Sequence, residues 1–277
     1  MSTDHAHTAV GTDQFAFIRQ FAEREAGIII DPGKEYLVES RLATVASRRG
    51  LPSPNAVIDH LRFSPDRQGT LTNEVVDALT TNETLFFRDT APFDALRDQL
   101  IPEFRAANPG RLMRLWSAAC SSGQEPYSLA MLVADSFPDQ KVQIFATDIC
   151  SSILERARRG IYQRMEINRG LPAKLLVKHF RQVPEGWQIA ESLRQRVEFS
   201  PINLTRPWPT MPPINVLFLR NVMIYFDVET RKRILKQVRN VLAPGGYLSL
   251  GGAETTMNLD PTFEAVRFGR ATFYRAV

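Results

Sequence analysis

A chain of 277 residues, 44% of them hydrophobic, can build one large or two modest domains with proper cores. Its formal net charge of +4 permits a polyanionic partner without demanding one, and acids and bases nearly balance between Gly11 and Glu74, which argues against a general nucleic-acid surface there. Two cysteines, Cys120 and Cys150, and four scattered histidines at 5, 7, 60 and 179 form neither a disulfide framework nor a metal-ligand set, and no run of about 18 apolar residues suggests a membrane span.

Residues 1–11 are polar and lack the apolar core of a signal peptide, so a disordered leader on a cytoplasmic protein is expected. Four helical patterns follow and define an all-helical domain over 11–79. Thr12 is placed to cap the first, with Phe15, Ile18, Phe21 and Ala22 at helical spacing before Gly27. Asp31-Pro32 opens the second, which carries Leu37, Val38, Leu42, Val45 and Ala46 and stops at Gly50. Ser53-Pro54 opens the third, and Leu71, Val75, Val76 and Leu79 mark the fourth. On the second helix Arg41 and Arg48 lie seven apart and share a face, one that suits an acidic surface.

Residues 80–90 fit neither helix nor strand. Thr80-Thr81-Asn82-Glu83-Thr84-Leu85-Phe86-Phe87-Arg88-Asp89 is a linker rich in hydrogen-bonding side chains, of the kind that carries binding residues between rigid elements. Over 91–277 helices and strands alternate. A helix over 93–104 precedes an apolar strand over 113–118. A small-residue loop, Ser117-Ala118-Ala119-Cys120-Ser121-Ser122-Gly123-Gln124-Glu125, then leads into a helix that Pro126 is placed to open. A second strand ends in Asp148, with Ser151 or Ser152 able to cap the helix beyond it. The alternation breaks over about 161–197, where a helix over 172–180 and a hairpin with a Pro184-Glu185-Gly186 turn mark an inserted β-subdomain. Strands at 197–200 and 214–219, a helix over 229–242, a turn at Pro244-Gly245-Gly246 and a strand at 247–250 resume the pattern. A hairpin around Gly269-Arg270 closes it.

This pattern is that of an α/β sheet whose strand ends carry Ser117 to Glu125, Asp148, Asn203-Leu204 and Arg220-Asn221. Open α/β sheets bind ligands at the carboxyl ends of their strands, and an acid ending the second strand suits a ribose diol. An ordinary α/β turn and a helix-capping aspartate are the plain alternatives. With Gly123 as its one glycine, the loop lacks the three-glycine fingerprint, and no Walker-type Gly-Lys-Ser/Thr is present. A nucleoside without phosphates fits better. S-adenosylmethionine, with a cationic amino group and sulfonium to meet Glu125, is the natural candidate.

The linker string, the 117–127 loop, Ala146-Thr147-Asp148-Ile149, Gly160-Ile161-Tyr162 and Phe218-Leu219-Arg220-Asn221-Val222-Met223-Ile224-Tyr225-Phe226-Asp227 together resemble the CheR-type chemotaxis receptor methyltransferases, in order from about Phe15 to Tyr274. The resemblance implies a Rossmann-like S-adenosylmethionine-dependent methyltransferase sheet with a C-terminal antiparallel hairpin, and methyl esterification of glutamate side chains on the cytoplasmic helices of chemoreceptors. It places cofactor contacts at Asn82, Thr84, Arg88, Glu125, Asp148, Asn203, Leu204, Arg220 and Asn221, and the reacting centre at Arg88 and Tyr225. S-adenosylhomocysteine would be the product and no metal would be needed. A monomer is expected, with no nucleic-acid partner.

Two departures stand out. Where relatives often carry Gly-His-Ser-Glu after the fifth strand, this chain has Gly251-Gly252-Ala253-Glu254. The hairpin between Phe180 and Val197 is also shorter than in relatives that grip a receptor's C-terminal pentapeptide, so independence from that tether is expected. A non-catalytic S-adenosylmethionine sensor or adaptor is the alternative from another class. Nucleic-acid methylation is disfavoured, because the Asp/Asn-Pro-Pro-Tyr/Phe string used around a flipped base is absent.

Overall fold

The structure is a computed structural model that describes residues 10–64 and 69–276. Most of the expected leader, His5 and His7 included, lies outside the described residues. The chain forms two compact units: residues up to Thr81 together with Tyr225–Asp227, and the remainder, Asn82–Ile224 with Val228–Val277.

The first unit is helical, with α1 Thr12–Ala26, α2 Glu35–Arg49, α3 Pro54–Phe63 and α4 Thr70–Leu79. Its apolar stripes face inward: Ile18 from α1, Val38, Leu42 and Val45 from α2, Val57 and Ile58 from α3, and Val75 from α4 are fully buried. Gly27 and Gly50 end α1 and α2 in the left-handed region, each donating its N–H back to two carbonyls of the last turn. Ser53 caps α3 by accepting the Ala56 N–H at 3.2 Å. Two expected starts move. Gly11 rather than Thr12 is the cap of α1, and Asp31-Pro32 forms a turn so that α2 begins only at Glu35. Arg41 leaves the solvent face of α2. Its guanidinium caps the end of α4, donating to the Leu79 carbonyl, to the Thr80 carbonyl at 3.1 Å and to Thr81 Oγ1 at 2.8 Å.

The second unit opens with α5 Ala91–Ala95 and α6 Ile101–Ala107, joined by a π turn over Leu96–Leu100. The expected helix is therefore longer at both ends and internally widened. Pro102 has no N–H to give Asp98 and its ring crowds that carbonyl, and the wider turn, with Ile101 N–H reaching the Leu96 carbonyl, accommodates both. Then follow β1 Met113–Ala118, α7 Gln124–Ser136, β2 Val142–Asp148, α8 Ser151–Arg159, β3 Ile161–Tyr162, α9 Arg164–Ile167, α10 Ala173–His179, β4 Phe180–Val183, β5 Gly186–Ile189 and α11 Glu191–Arg194. The chain ends with β6 Val197–Pro201, β7 Ile214–Leu219, a 3-10 turn Met223–Tyr225, α12 Val228–Val241, β8 Leu242–Leu250, β9 Phe263–Phe268 and β10 Ala271–Ala276.

Seven strands make one sheet in the order β6-β2-β1-β7-β8-β10-β9, parallel through the first five and antiparallel at the β8-β10-β9 edge. The chain winds outward from β1 through β2 to β6 and then returns to β7 on the other side, so the strand order reverses between β1 and β7. That reversal leaves a crevice at the carboxyl ends of these two strands. The expected Pro244-Gly245-Gly246 turn appears as an irregular step inside β8, where the register to β7 shifts between Ile214 and Val216 and Gly245 sits at φ 72°. The insertion is a small antiparallel sheet, β3-β5-β4, in which β3 adds a strand to the expected hairpin. No helix among the described residues is long and apolar enough to cross a membrane.

Candidate functional site

The loop after β1 turns sharply, with Ala119 at φ 55°, Ser121 at φ 51° and Gly123 at φ 93°. Non-glycine residues in the left-handed region cost about 1–3 kcal/mol each and persist only where their surroundings enforce them. Here Cys120 N–H donates to the Thr147 carbonyl at 2.9 Å, Ser121 N–H to Asp148 Oδ2 at 2.8 Å, and Ser121 Oγ to the Asn82 carbonyl at 2.8 Å. Tyr162, fully buried, donates its hydroxyl to the Ser122 carbonyl at 2.8 Å. Burial pushes the Tyr162 and Tyr127 phenols well above their ordinary range, so both stay protonated donors. Burial, with Asp148 and Glu125 nearby, likewise raises the Cys120 thiol and keeps it inert as a nucleophile.

Gly123 caps α7, so the helix starts at Gln124 and Pro126 is its third residue rather than its first. The first turn tolerates proline at either position, because no intrahelical acceptor awaits its missing N–H. Glu125 thereby points from the first turn to the end of β1, accepting from Ser117 Oγ at 2.7 Å and from Arg220 Nη1 at 3.0 Å. Arg220 follows β7 and its side chain is 2% exposed. Its Nη2 donates to the Arg88 carbonyl and to Asp89 Oδ2, both at 2.8 Å, and its guanidinium lies over the Phe93 ring, 5.9 Å from the centroid. One buried cation thus joins the helix-borne carboxylate to the segment that carries Arg88.

Asp148 accepts a backbone N–H on each oxygen, from Ser121 at 2.8 Å and Cys150 at 3.0 Å. Cys150, with no side-chain cap, is the cap residue of α8, and neither Ser151 nor Ser152 takes that role. The 82–89 segment is gripped from several sides. Phe87 N–H donates to Ser128 Oγ at 3.0 Å, Glu83 pairs with Arg169 at 2.9 Å, and Phe86 packs edge-on to Tyr162 and Phe180. Phe87 and Asp89 are left-handed at φ 49° and 52°.

The structure therefore gathers two hydrogen-bonded sets at the ends of β1, β2 and β7: the Asn82 carbonyl, Ser121 and Asp148 in one, and Glu125, the Arg88 carbonyl and Arg220 in the other. Asn221 is the next residue on that turn, and Thr84 is half-buried in the same segment. Asn203 and Leu204 follow β6, one strand further out. Asn203 Oδ1 accepts the Thr205 N–H and hydroxyl, and the Leu204 carbonyl accepts Trp208 Nε1 at 3.2 Å. Tyr225 groups with the helical unit, where its carbonyl accepts the Ile29 N–H at 3.2 Å. Sequence reasoning missed Ser128, Arg169 and Gly170 as grips on the linker, since nothing in their local pattern marks them, and it singled out Tyr162 within Gly160-Ile161-Tyr162 without its contact to Phe86.

The seven-stranded order, its reversal between β1 and β7, the one-glycine loop and the antiparallel edge define a Rossmann-like S-adenosylmethionine-dependent methyltransferase. The chemistry of the donor set fits that cofactor: two carboxylates, Glu125 and Asp148, suit a cationic nucleoside with a ribose diol. Each is oriented by protein donors, and a carboxylate has about four acceptor sites in all. The comparisons are more specific. Residues 82–271 match the CheR methyltransferase SAM-binding domain and residues 13–80 the CheR methyltransferase all-alpha domain. The chain belongs to the CheR methyltransferase family. Chemotaxis protein methyltransferase Cher2 of Pseudomonas putida is 38% identical over 276 residues, covering 97% of this chain and 99% of its own. Chemotaxis protein methyltransferase 1 of Pseudomonas aeruginosa is 40% identical over 270 residues, covering 95% and 97%. The chemotaxis protein methyltransferase of Vibrio parahaemolyticus is 37% identical over 272 residues, covering 96% and 98%.

Proposed function

We propose that this methyltransferase esterifies glutamate side chains on the cytoplasmic helices of chemoreceptors, releasing S-adenosylhomocysteine. The observation that carries the reading is Arg220, whose buried guanidinium ties Glu125 of the cofactor side to the backbone of Arg88 and to Asp89.

S-adenosylmethionine supplies a methyl group on a sulfonium. Glu125 would hold the cofactor's amino group and Asp148 its ribose diol, while Asn82, Thr84, Asn203, Leu204, Arg220 and Asn221 would shape the rest of the pocket. Arg88 holds the substrate carboxylate in line, because a guanidinium binds a carboxylate bidentately and does not lose its proton at neutral pH. Tyr225 is the other residue to which the family resemblance gives a part in the reaction. A glutamate, with an ordinary pKa of about 4.3, is already ionised and is itself the nucleophile. Its oxygen forms the bond to the methyl carbon as the carbon-sulfur bond breaks, and that electron pair returns to sulfur. The chain's own contribution is alignment and exclusion of water. The protein works as a cytoplasmic monomer and needs no C-terminal receptor tether; of the basic pair on α2, Arg48 is left on the exposed face that approaches receptors, since Arg41 is engaged at the end of α4.

Radiolabelled methyl transfer to receptor-containing membranes, followed by base-labile release of methanol, tests this reading. Arg88→Ala should lower transfer at least about 100-fold, the scale of a lost alignment. Retained activity would sink the assignment, and a wild-type chain that binds S-adenosylhomocysteine but transfers nothing would be a sensor instead. Receptors truncated before their C-terminal tail should be methylated as well as intact ones.

A further inference from the structure

Glu254 belongs to the Gly251-Gly252-Ala253-Glu254 string that follows β8. Its carboxylate accepts four backbone N–H groups: Oε2 takes Gly251 at 2.7 Å and Asn221 at 2.8 Å, and Oε1 takes Val222 at 2.9 Å and Met223 at 2.7 Å. Three of these donors are consecutive amides of the turn that leaves β7. Asn221 enters that turn in the left-handed region at φ 58°, and successive N–H groups then converge on one side to make an anion-binding concavity. The anion is Glu254, delivered from the end of the neighbouring strand. Gly251 is what lets it come so close, since a Cβ there would stand 2.6 Å from Asn221 Nδ2 and 2.8 Å from Glu254 Oε2.

We propose that Glu254 is a positioning residue for methyl transfer. It acts through the 221–223 turn, fixing the backbone of Asn221 for the cofactor and the lead-in to Tyr225 for the reacting centre. The assignment rests on the reading above that these two residues serve the site. No isostere replaces the Glu254 carboxylate. Because each oxygen accepts two N–H groups, a glutamine in either orientation sets its NH2 against two donors.

The test compares wild type and Glu254→Gln as full chains. The readouts are deuterium exchange of the 214–227 peptide, calorimetric binding of S-adenosylhomocysteine, and kcat and KM for methyl transfer. In E254Q we expect faster exchange confined to 221–223, at least about tenfold weaker binding and a raised cofactor KM, with helix content unchanged. A residue serving only the fold would lower the melting temperature and leave binding and KM as they were. That result overturns the proposal. If E254Q fails to fold, Gly251→Ala crowds the same cradle from the other side and must weaken binding similarly; unchanged binding there overturns the proposal too. A wild-type chain that does not bind S-adenosylhomocysteine overturns the methyl-transfer reading and this assignment with it, whereas wild-type binding shared by E254Q sinks the role of Glu254 alone.

Discussion

At Tyr162 a single hydroxyl separates two jobs. The ring packs at 5.0 Å against Phe86, and the hydroxyl satisfies the Ser122 carbonyl inside the loop after β1, the proposed cofactor loop. Tyr162→Phe keeps the packing and orphans a buried acceptor, at a cost of about 1–3 kcal/mol. Thermal unfolding should show that loss, and S-adenosylhomocysteine binding should weaken because the orphaned carbonyl belongs to the loop. Unchanged binding would mean that the loop does not depend on the bond. At this scale the carboxylates were legible and their partners were not. Asp148 ends a strand, where an acid has a known use, and Glu125 stands in the first turn of the helix that follows another. Arg220 meets Glu125 across 95 positions and Asp89 across 131, distances at which one sequence carries no pairing signal.

Among elements, the helices of the first unit and the parallel strands were readable because apolar period and punctuation agree there. The π turn at Leu96–Leu100 was not, since Pro102 announces a disturbance but not the form it takes. The insertion showed its hairpin but not its grip on the linker. Gly170, at φ 92°, makes that grip explicit: a Cβ would stand 2.1 Å from the Phe86 carbonyl. Backbone cannot yield as a flexible side chain would, so Gly170→Ala must shift the 86–89 segment. A displacement of about 1 Å at a reacting centre costs on the order of 100-fold. We expect kcat to fall by that order while circular dichroism stays native, and wild-type kcat would remove the linker from the mechanism.

Over the second unit as a whole, the insertion is fastened to α7 by a shared carboxylate. Burial alone would raise the Asp135 carboxyl, yet hydrogen bonds from Lys178 at 2.7 Å and His179 at 2.9 Å hold it below the usual carboxylate range. A depressed folded pKa adds stability that is fully present above the unfolded value, about 3.9, and is lost as pH falls through the folded one. Asp135→Asn should therefore lower the melting temperature at pH 7, and the difference from wild type should shrink as pH falls below the usual carboxylate range. Parallel curves at every pH would refute the linkage. The architecture was legible at this scale because alternating elements permit few topologies, while the Glu254 cradle was hidden in a departure from a familiar string.

The bends at Phe87 and Asp89 also bear on the order in which the molecule is assembled. Both residues pay for a left-handed backbone, and the groups that hold the segment around them, Ser128, Arg169 and Arg220, lie between 41 and 132 positions away from their partners in it. Contacts so distant in sequence form only after long stretches of chain have closed. During synthesis Arg88 leaves the ribosome early, but its final presentation waits until Arg220 has emerged and β7 has paired. On the proposed role of Arg88, a growing or half-folded chain would not hold a substrate carboxylate, and competence would arrive all at once with the closing of the sheet.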